Sequence, residues 1–104
     1  MVIAIFRSRI RSSARKEYDP LAARMLALAE AMPGFRSFKS FRSEDGERLS
    51  LIEFESEAQL TAWRDHPEHR QAQEIGRERI YSEYSISVCE PLRNAQWSAR
   101  ARFA

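Results

Sequence analysis

The chain has 104 residues, of which 43% are hydrophobic and 31% charged, with 17 basic and 15 acidic side chains for a net charge of +2. That is one domain's length in the composition of a soluble globular protein, too apolar for a disordered chain and too short for two ordinary domains. Its longest apolar run, Val2 to Phe6, falls far short of the ~20 residues of a membrane span, and arginines follow it instead of preceding it as in a secretory signal.

Residues 2–10, VIAIFRSRI, are β-branched and aromatic and predict a strand. Arg11-Ser12-Ser13 predicts a loop. A helix is predicted over about 18–32, where Leu21, Met25, Leu28 and Met32 form one apolar stripe. Asp19 is suited to cap it and Pro20 to open it. Pro33-Gly34 then stops it. Residues 35–43, FRSFKSFRS, repeat phenylalanine every third position, nearer a helical period than a strand's. They lie between Pro-Gly and an Asp45-Gly46 turn, however, which predicts a hairpin strand with phenylalanines on both faces and room for a bulge. Its partner is 48–55, RLSLIEFE.

Ser56 with Gln59 three residues on reads as a capping box opening a second helix, with Leu60 and Trp63 facing inward. Pro67 starts a further helical piece, with Ala72 and Ile75 inward and Gly76 near its end. Residues 80–89, IYSEYSISVC, alternate as a strand, with Ile80, Tyr84, Ile86 and Val88 on one face. The order βαββαβ predicts an α+β, ferredoxin-like fold: a four-stranded antiparallel sheet with both helices on one face. Residues 1–90 form this domain. Residues 91–104 form a tail that holds Arg93, Arg100 and Arg102 and no acid. A basic tail on a near-neutral body is not the broad footprint of a nucleic-acid binder, and the third strand has one aromatic and no glycine where an RNA-recognition sheet needs several aromatics.

The sheet face away from the helices does not read as polar. Ile3 and Ile5 oppose Val2, Ala4 and Phe6; Phe35 and Phe41 oppose Phe38; Leu49 and Leu51 oppose Ile52 and Phe54; Tyr81 stands among Glu83, Ser85 and Ser87. About six large side chains of on the order of 100 Å² each, at ~25 cal/mol per Å², represent ~15 kcal/mol of burial before association costs. The simplest cover is the same face of a second copy, so a homodimer is expected.

The stretch SEAQLTAWRDHPEHRQAQEIGRERIYSEYSISV, with Pro33-Gly34-Phe35 and the Phe41 to Gly46 hairpin, resembles the antibiotic biosynthesis monooxygenase family of dimeric α+β barrel proteins. The resemblance spans residues 1–90. It implies a pocket between sheet and helices in each subunit. It also implies oxygenation of an aromatic, phenolic or quinol-like small molecule without metal, flavin or haem, the deprotonated substrate itself reducing dioxygen. The protein would supply a dry cavity, a base and donors to the growing negative charge. A sibling group binds and degrades haem with an Asn on the first strand, a Trp on the second helix and a His some three turns on. Trp63 matches that Trp, but Gln73 stands in the place of the His and Arg7 or its neighbours in that of the Asn. A ligand binder or isomerase of the same fold is the rival reading.

Candidate residues follow from both lines. His66 and His69, the only imidazoles, are the natural bases near neutral pH; each reads equally as a helix cap or a surface histidine, and with no third His or Cys a metal is not expected. Trp63 is core or a pocket wall. Phe38 and Tyr84 face the same side and would line the pocket; Tyr84 reads either as core with its hydroxyl satisfied or as a donor to an oxyanion. Tyr81, on the other side, is expected at the dimer interface. Arg7 either holds an anionic substrate or pairs with Glu53. Cys89, the sole cysteine, excludes an internal disulfide, reads as packing, and with the absent signal fits a cytoplasmic protein.

Overall fold

The computed structural model describes residues 1–99, so Arg100, Arg102 and Phe103 of the basic tail lie outside the described residues. Four strands, β1 (Val2–Ile10), β2 (Phe35–Arg42), β3 (Arg48–Phe54) and β4 (Tyr81–Cys89), form one antiparallel sheet in the order β2-β3-β1-β4. Helix α1 (Arg15–Ala31) joins β1 to β2, and α2 (Glu57–Arg64) and α3 (Pro67–Ile75) join β3 to β4 through a π-helical turn at Gly76–Ile80. This is the predicted ferredoxin-like arrangement.

Local chemistry explains most boundaries. Ser56 Oγ accepts from the Gln59 N–H at 3.2 Å and opens α2. Pro67 sits at the start of α3, where its missing N–H costs nothing. The β2–β3 turn needs Gly46, whose φ of +92° suits only glycine, and Ser43 and Asp45 fold their side chains over it. Gly34, at φ +84°, turns α1 into β2, and any side chain there would collide with Gln59.

The first helix corrects the sequence reading. It begins at Arg15, after a 3₁₀ turn at Ser12–Ala14, so Asp19 is not its cap and Pro20 lies inside it. Arg15, Lys16 and Glu17 are good helix formers, and they carry the helix back past the proline. Pro20 offers no N–H to the carbonyl four residues back, but it is exposed, and water can serve that carbonyl.

Val2, Ala4, Ile52, Phe54, Ala29, Leu60 and Trp63 form the core between the helices and the β1–β3 half of the sheet. Two bulges change faces. A register shift between Phe35 and Ser37 turns Phe35 inward, its ring edge-on to Phe54 at 5.8 Å. Another, between Arg9 and Ile10, turns Tyr81 inward to contact Phe6. Neither residue therefore lies on the outer face, which retains Ile3, Ile5, Phe41, Leu49 and Leu51; in register across the strands, Leu51 pairs with both Ile5 and Lys39. Ion pairs close one end of that face: Arg7 with Glu47, and Arg9 with Asp45 and Glu83. The Ser43 hydroxyl, Arg9 and the Glu47 N–H hold the Asp45 carboxyl well below the usual carboxylate range. Among the described residues no helix is long and apolar enough to cross a membrane.

Replacing Pro20 with Ala restores a helical hydrogen bond and should raise stability by about 1–3 kcal/mol. Urea unfolding would check this; an unchanged or lower midpoint would contradict an internal proline.

Candidate active site

The helices leave the β4 side of the inner face uncovered. Tyr84, Ile86 and Val88 face the same side as Ser8, Phe6 and Ala4, yet remain 42%, 50% and 45% exposed. They wall a cavity of about 440 Å³ between sheet and helices. It exists because small residues meet across it: Ala4 and Ser50 on the sheet, Ala22 on α1 and Ala72 on α3. Larger side chains ring it, with Phe6, Phe38 and Ile52 from the sheet, Met25 from α1, Leu60 and Trp63 from α2, and Tyr81 and Tyr84 from β4. Most of this wall is apolar, as small-molecule sites generally are.

Besides Glu57, Thr61 and Arg64 of α2, three polar features of that wall bear on its chemistry. The first is Trp63, 5% exposed, stacked on Phe54 and edge-on to Phe38. Its indole Nε1–H is buried without a hydrogen-bond partner. A buried donor left unpaired costs on the order of 1–3 kcal/mol. The second is His69, whose ring meets Trp63 edge-on at 4.3 Å and whose Nδ1 lies 3.0 Å from Gln73 Nε2. Burial, then the nearby Arg64 charge, pushes its pKa down to about 4 against the opposing pull of Asp65. At neutral pH this imidazole is uncharged. The third lies at the mouth, where the Arg77 guanidinium donates to the Tyr84 hydroxyl at 3.5 Å. Burial pushes the Tyr81 phenol up to about 12, so it too stays neutral.

Of the residues singled out in the sequence, Trp63, His69, Phe38 and Tyr84 come together around this cavity. The other two do not. His66 is the N-cap of α3, its Nδ1 accepting the Glu68 N–H at 3.2 Å, and it does not line the cavity. Arg7 lies on the opposite sheet face, and its partner is Glu47 (Nη2 to Oε1 at 2.9 Å) and not Glu53, which takes the Ser37 hydroxyl. Side chains project alternately, and Arg7 follows Phe6. The lining also includes residues given no site role in the sequence: Tyr81, Arg77, Ser50 and Gln73. Tyr81 was hidden by the bulge beside Ile10. Gly76 makes its position possible, since a Cβ there would stand 2.7 Å from the Tyr81 ring. Among the described residues no three His, Cys, Asp or Glu side chains form a group that could hold a metal ion.

A ferredoxin-like sheet with a half-open, aromatic-lined chamber under its helices is an α+β architecture. A family model described as antibiotic biosynthesis monooxygenase matches residues 1–75, and the chain belongs to that family. It is 33% identical over 87 residues to the uncharacterized protein YqjZ of Bacillus subtilis, covering 84% of this chain and 76% of that protein. Its fold matches Rv0793 of Mycobacterium tuberculosis with a TM-score of 0.80 at 26% identity, over 91% of this chain and 98% of that one. It also matches SnoaB, a cofactor-independent oxygenase of Streptomyces nogalater, with a TM-score of 0.77 at 15% identity, over 89% and 94% of the two chains.

The residues present depart from the haem-degrading pattern. The place that the haem-degrading pattern gives to a histidine holds Gln73, whose amide is engaged by His69 and the Arg64 carbonyl.

Neutral His69 makes stability depend on pH. Between pH 6.5 and about 4 the unfolded chain takes up a proton that the folded chain refuses. Stability is therefore full above pH 6.5 and falls as the pH drops through that window, by on the order of 2–3 kcal/mol at its foot. His69→Gln should flatten this slope in urea titrations run from pH 7 to 4. An unchanged slope would show that the ring is charged or solvated in the folded protein.

Proposed function

We propose that this protein is a cofactor-independent monooxygenase acting on an aromatic, phenolic or quinol-like small molecule held in the cavity between sheet and helices. The observation that carries this reading is an apolar chamber in which a buried, unpartnered indole N–H sits beside a neutral imidazole. Phe38, Trp63 and Tyr84 hold the planar guest, and His69 meets its reacting oxygen. In an anthrone-like guest the ring methylene becomes a carbonyl. The guest loses a proton, its carbanion passes an electron to dioxygen, and the two radicals join at carbon. Loss of water then leaves C=O, so that CH₂ and O₂ give C=O and H₂O. No electron donor besides the guest is needed. Exclusion of water protects the anion, and fixed N–H donors stabilise its oxygen in a low-dielectric site. The SnoaB fold match supports this chemistry by analogy.

We further propose that the outer sheet face pairs with the same face of a second copy. Ile3, Ile5, Leu49, Leu51 and Phe41 form its apolar centre, the Arg7–Glu47 and Arg9–Asp45 pairs its polar rim. The tail, with Leu92 and Trp97 exposed, would then have a partner surface to lie against.

Dioxygen uptake with a hydroxyanthrone tests the activity. His69→Ala should lower kcat/KM by about 10²-fold or more, and His66→Ala should leave it within about threefold. Equal rates in all three proteins would remove His69 from the site, and saturable binding with no oxygen uptake would make the protein a non-oxygenating binder. Light scattering should return about twice the 12.1 kDa chain mass, and Ile5→Asp with Leu51→Asp should halve it. A 12 kDa wild-type species at micromolar concentration would end the pairing.

A further inference from the structure

The sequence makes His69 a general base; its neighbour Gln73 gives it the opposite role. Gln73 lies four residues after His69 on the same face of α3. Its amide nitrogen is 3.0 Å from His69 Nδ1 and 3.5 Å from the carbonyl oxygen of Arg64, the last residue of α2. That carbonyl lies beyond the reach of donors within its own helix and can only accept. An amide NH₂ has two hydrogens, and both are spent here: one on the Arg64 carbonyl, one on Nδ1. Turned the other way, Gln73 would set Oε1 against the Arg64 oxygen, acceptor against acceptor. Nδ1 therefore accepts, and in a neutral ring the proton must sit on Nε2.

We propose that Gln73 is a positioning residue that holds His69 in its Nε2–H tautomer, so that the cavity offers its guest a neutral imidazole N–H donor instead of a base and takes that guest as an oxyanion. This rests on the cavity reading above and names the form of the guest, a phenolate or enolate. With one lone pair engaged by Gln73 and the other nitrogen protonated, the neutral ring has no site from which to act as a base. Among the described residues no carboxylate hydrogen-bonds the ring to reverse the arrangement. Burial keeps the imidazole uncharged at neutral pH, so its tautomer decides what it can do. The indole N–H of Trp63, with no partner of its own, stands in the adjoining ring. The guest's proton is then lost to water before or during entry, which selects acidic phenols and enols.

Long-range ¹H–¹⁵N correlation of the imidazoles at pH 7 tests the tautomer in the wild-type protein. There are only two histidines, and His66→Asn assigns them. His69 should show a pyridine-like Nδ1 and a pyrrole-like Nε2. Gln73→Glu should invert them, its carboxylate accepting from Nδ1–H, and Gln73→Met should leave a mixture. The guest's form is read with 4-nitrophenol, whose anion is distinguishable by absorbance. The phenolate should bind at least tenfold more tightly than the phenol, and Gln73→Glu should abolish that preference. A protonated Nδ1 in the wild type overturns the inference and leaves the cavity reading intact. Equal affinity for phenol and phenolate with Nε2–H in place overturns the oxyanion role alone. Failure of both forms to bind overturns the cavity reading and the inference with it.

Discussion

The structure turns on a mismatch between a sheet that is apolar on both faces and a set of helices that covers only part of one. On the inner face, Ala29, Leu60 and Trp63 seal the helices onto Val2, Ala4, Ile52 and Phe54. Toward β4 the seal fails, because Ala22 and Ala72 on the helices face Ala4 and Ser50 on the sheet and none of them reaches across. Filling that gap with leucine-sized side chains would give a solid core of the usual density. The gap is retained and ringed by aromatic side chains, and a donor that no protein group satisfies lies buried in its wall. In a chain of this size, which buries a limited core to begin with, such a chamber subtracts from stability, and an occupant would restore part of it.

Polarity inside the chamber is sparse and directional. His69 is neutral because burial and the Arg64 charge disfavour its protonation. Tyr81 is neutral because burial disfavours its anion. Fixed charges also border the cavity: Arg64 and Glu57 from α2, and Arg77, which donates to the Tyr84 hydroxyl. Around His69 and Tyr81 a guest meets uncharged groups, whose electrostatic effect is strengthened by the surrounding apolar wall. This environment suits an anion spread over an aromatic system, since each donor pays little reorganisation when charge arrives.

Much of the fold was legible because its signals are local. The Ser56 cap of α2, Pro67 opening α3, and Pro33-Gly34 and Asp45-Gly46 turning the chain each act over a few residues and stand where they were read, although Gln59 takes the Ser56 hydroxyl and not its N–H. The strand faces were less legible, since one inserted residue reverses every side chain beyond it. That is why Phe35 and Tyr81 face the helices although strict alternation puts them outside. Pro20 misled for another reason: a proline that suits a helix start is also tolerated, at a cost, on an exposed face within it. Of the candidate site, Trp63, Phe38, Tyr84 and His69 were within reach of pattern and resemblance. The separation of His66 from His69 was not, because it depends on where Pro67 breaks the chain and which ring then turns to cap the helix. Arg7 had a choice of carboxylates, and the hairpin brought Glu47 nearer than Glu53.

The chamber's capacity for a planar guest is the central claim, and fluorescence of Trp63 addresses it directly. With Trp97 changed to Phe, Trp63 is the only tryptophan in the chain. A hydroxynaphthoquinone should quench it saturably, at one molecule per chain, and Ala22→Phe or Ala72→Leu should abolish that quenching while the protein stays folded. Quenching that never saturates, or that survives both substitutions unchanged, would contradict the account.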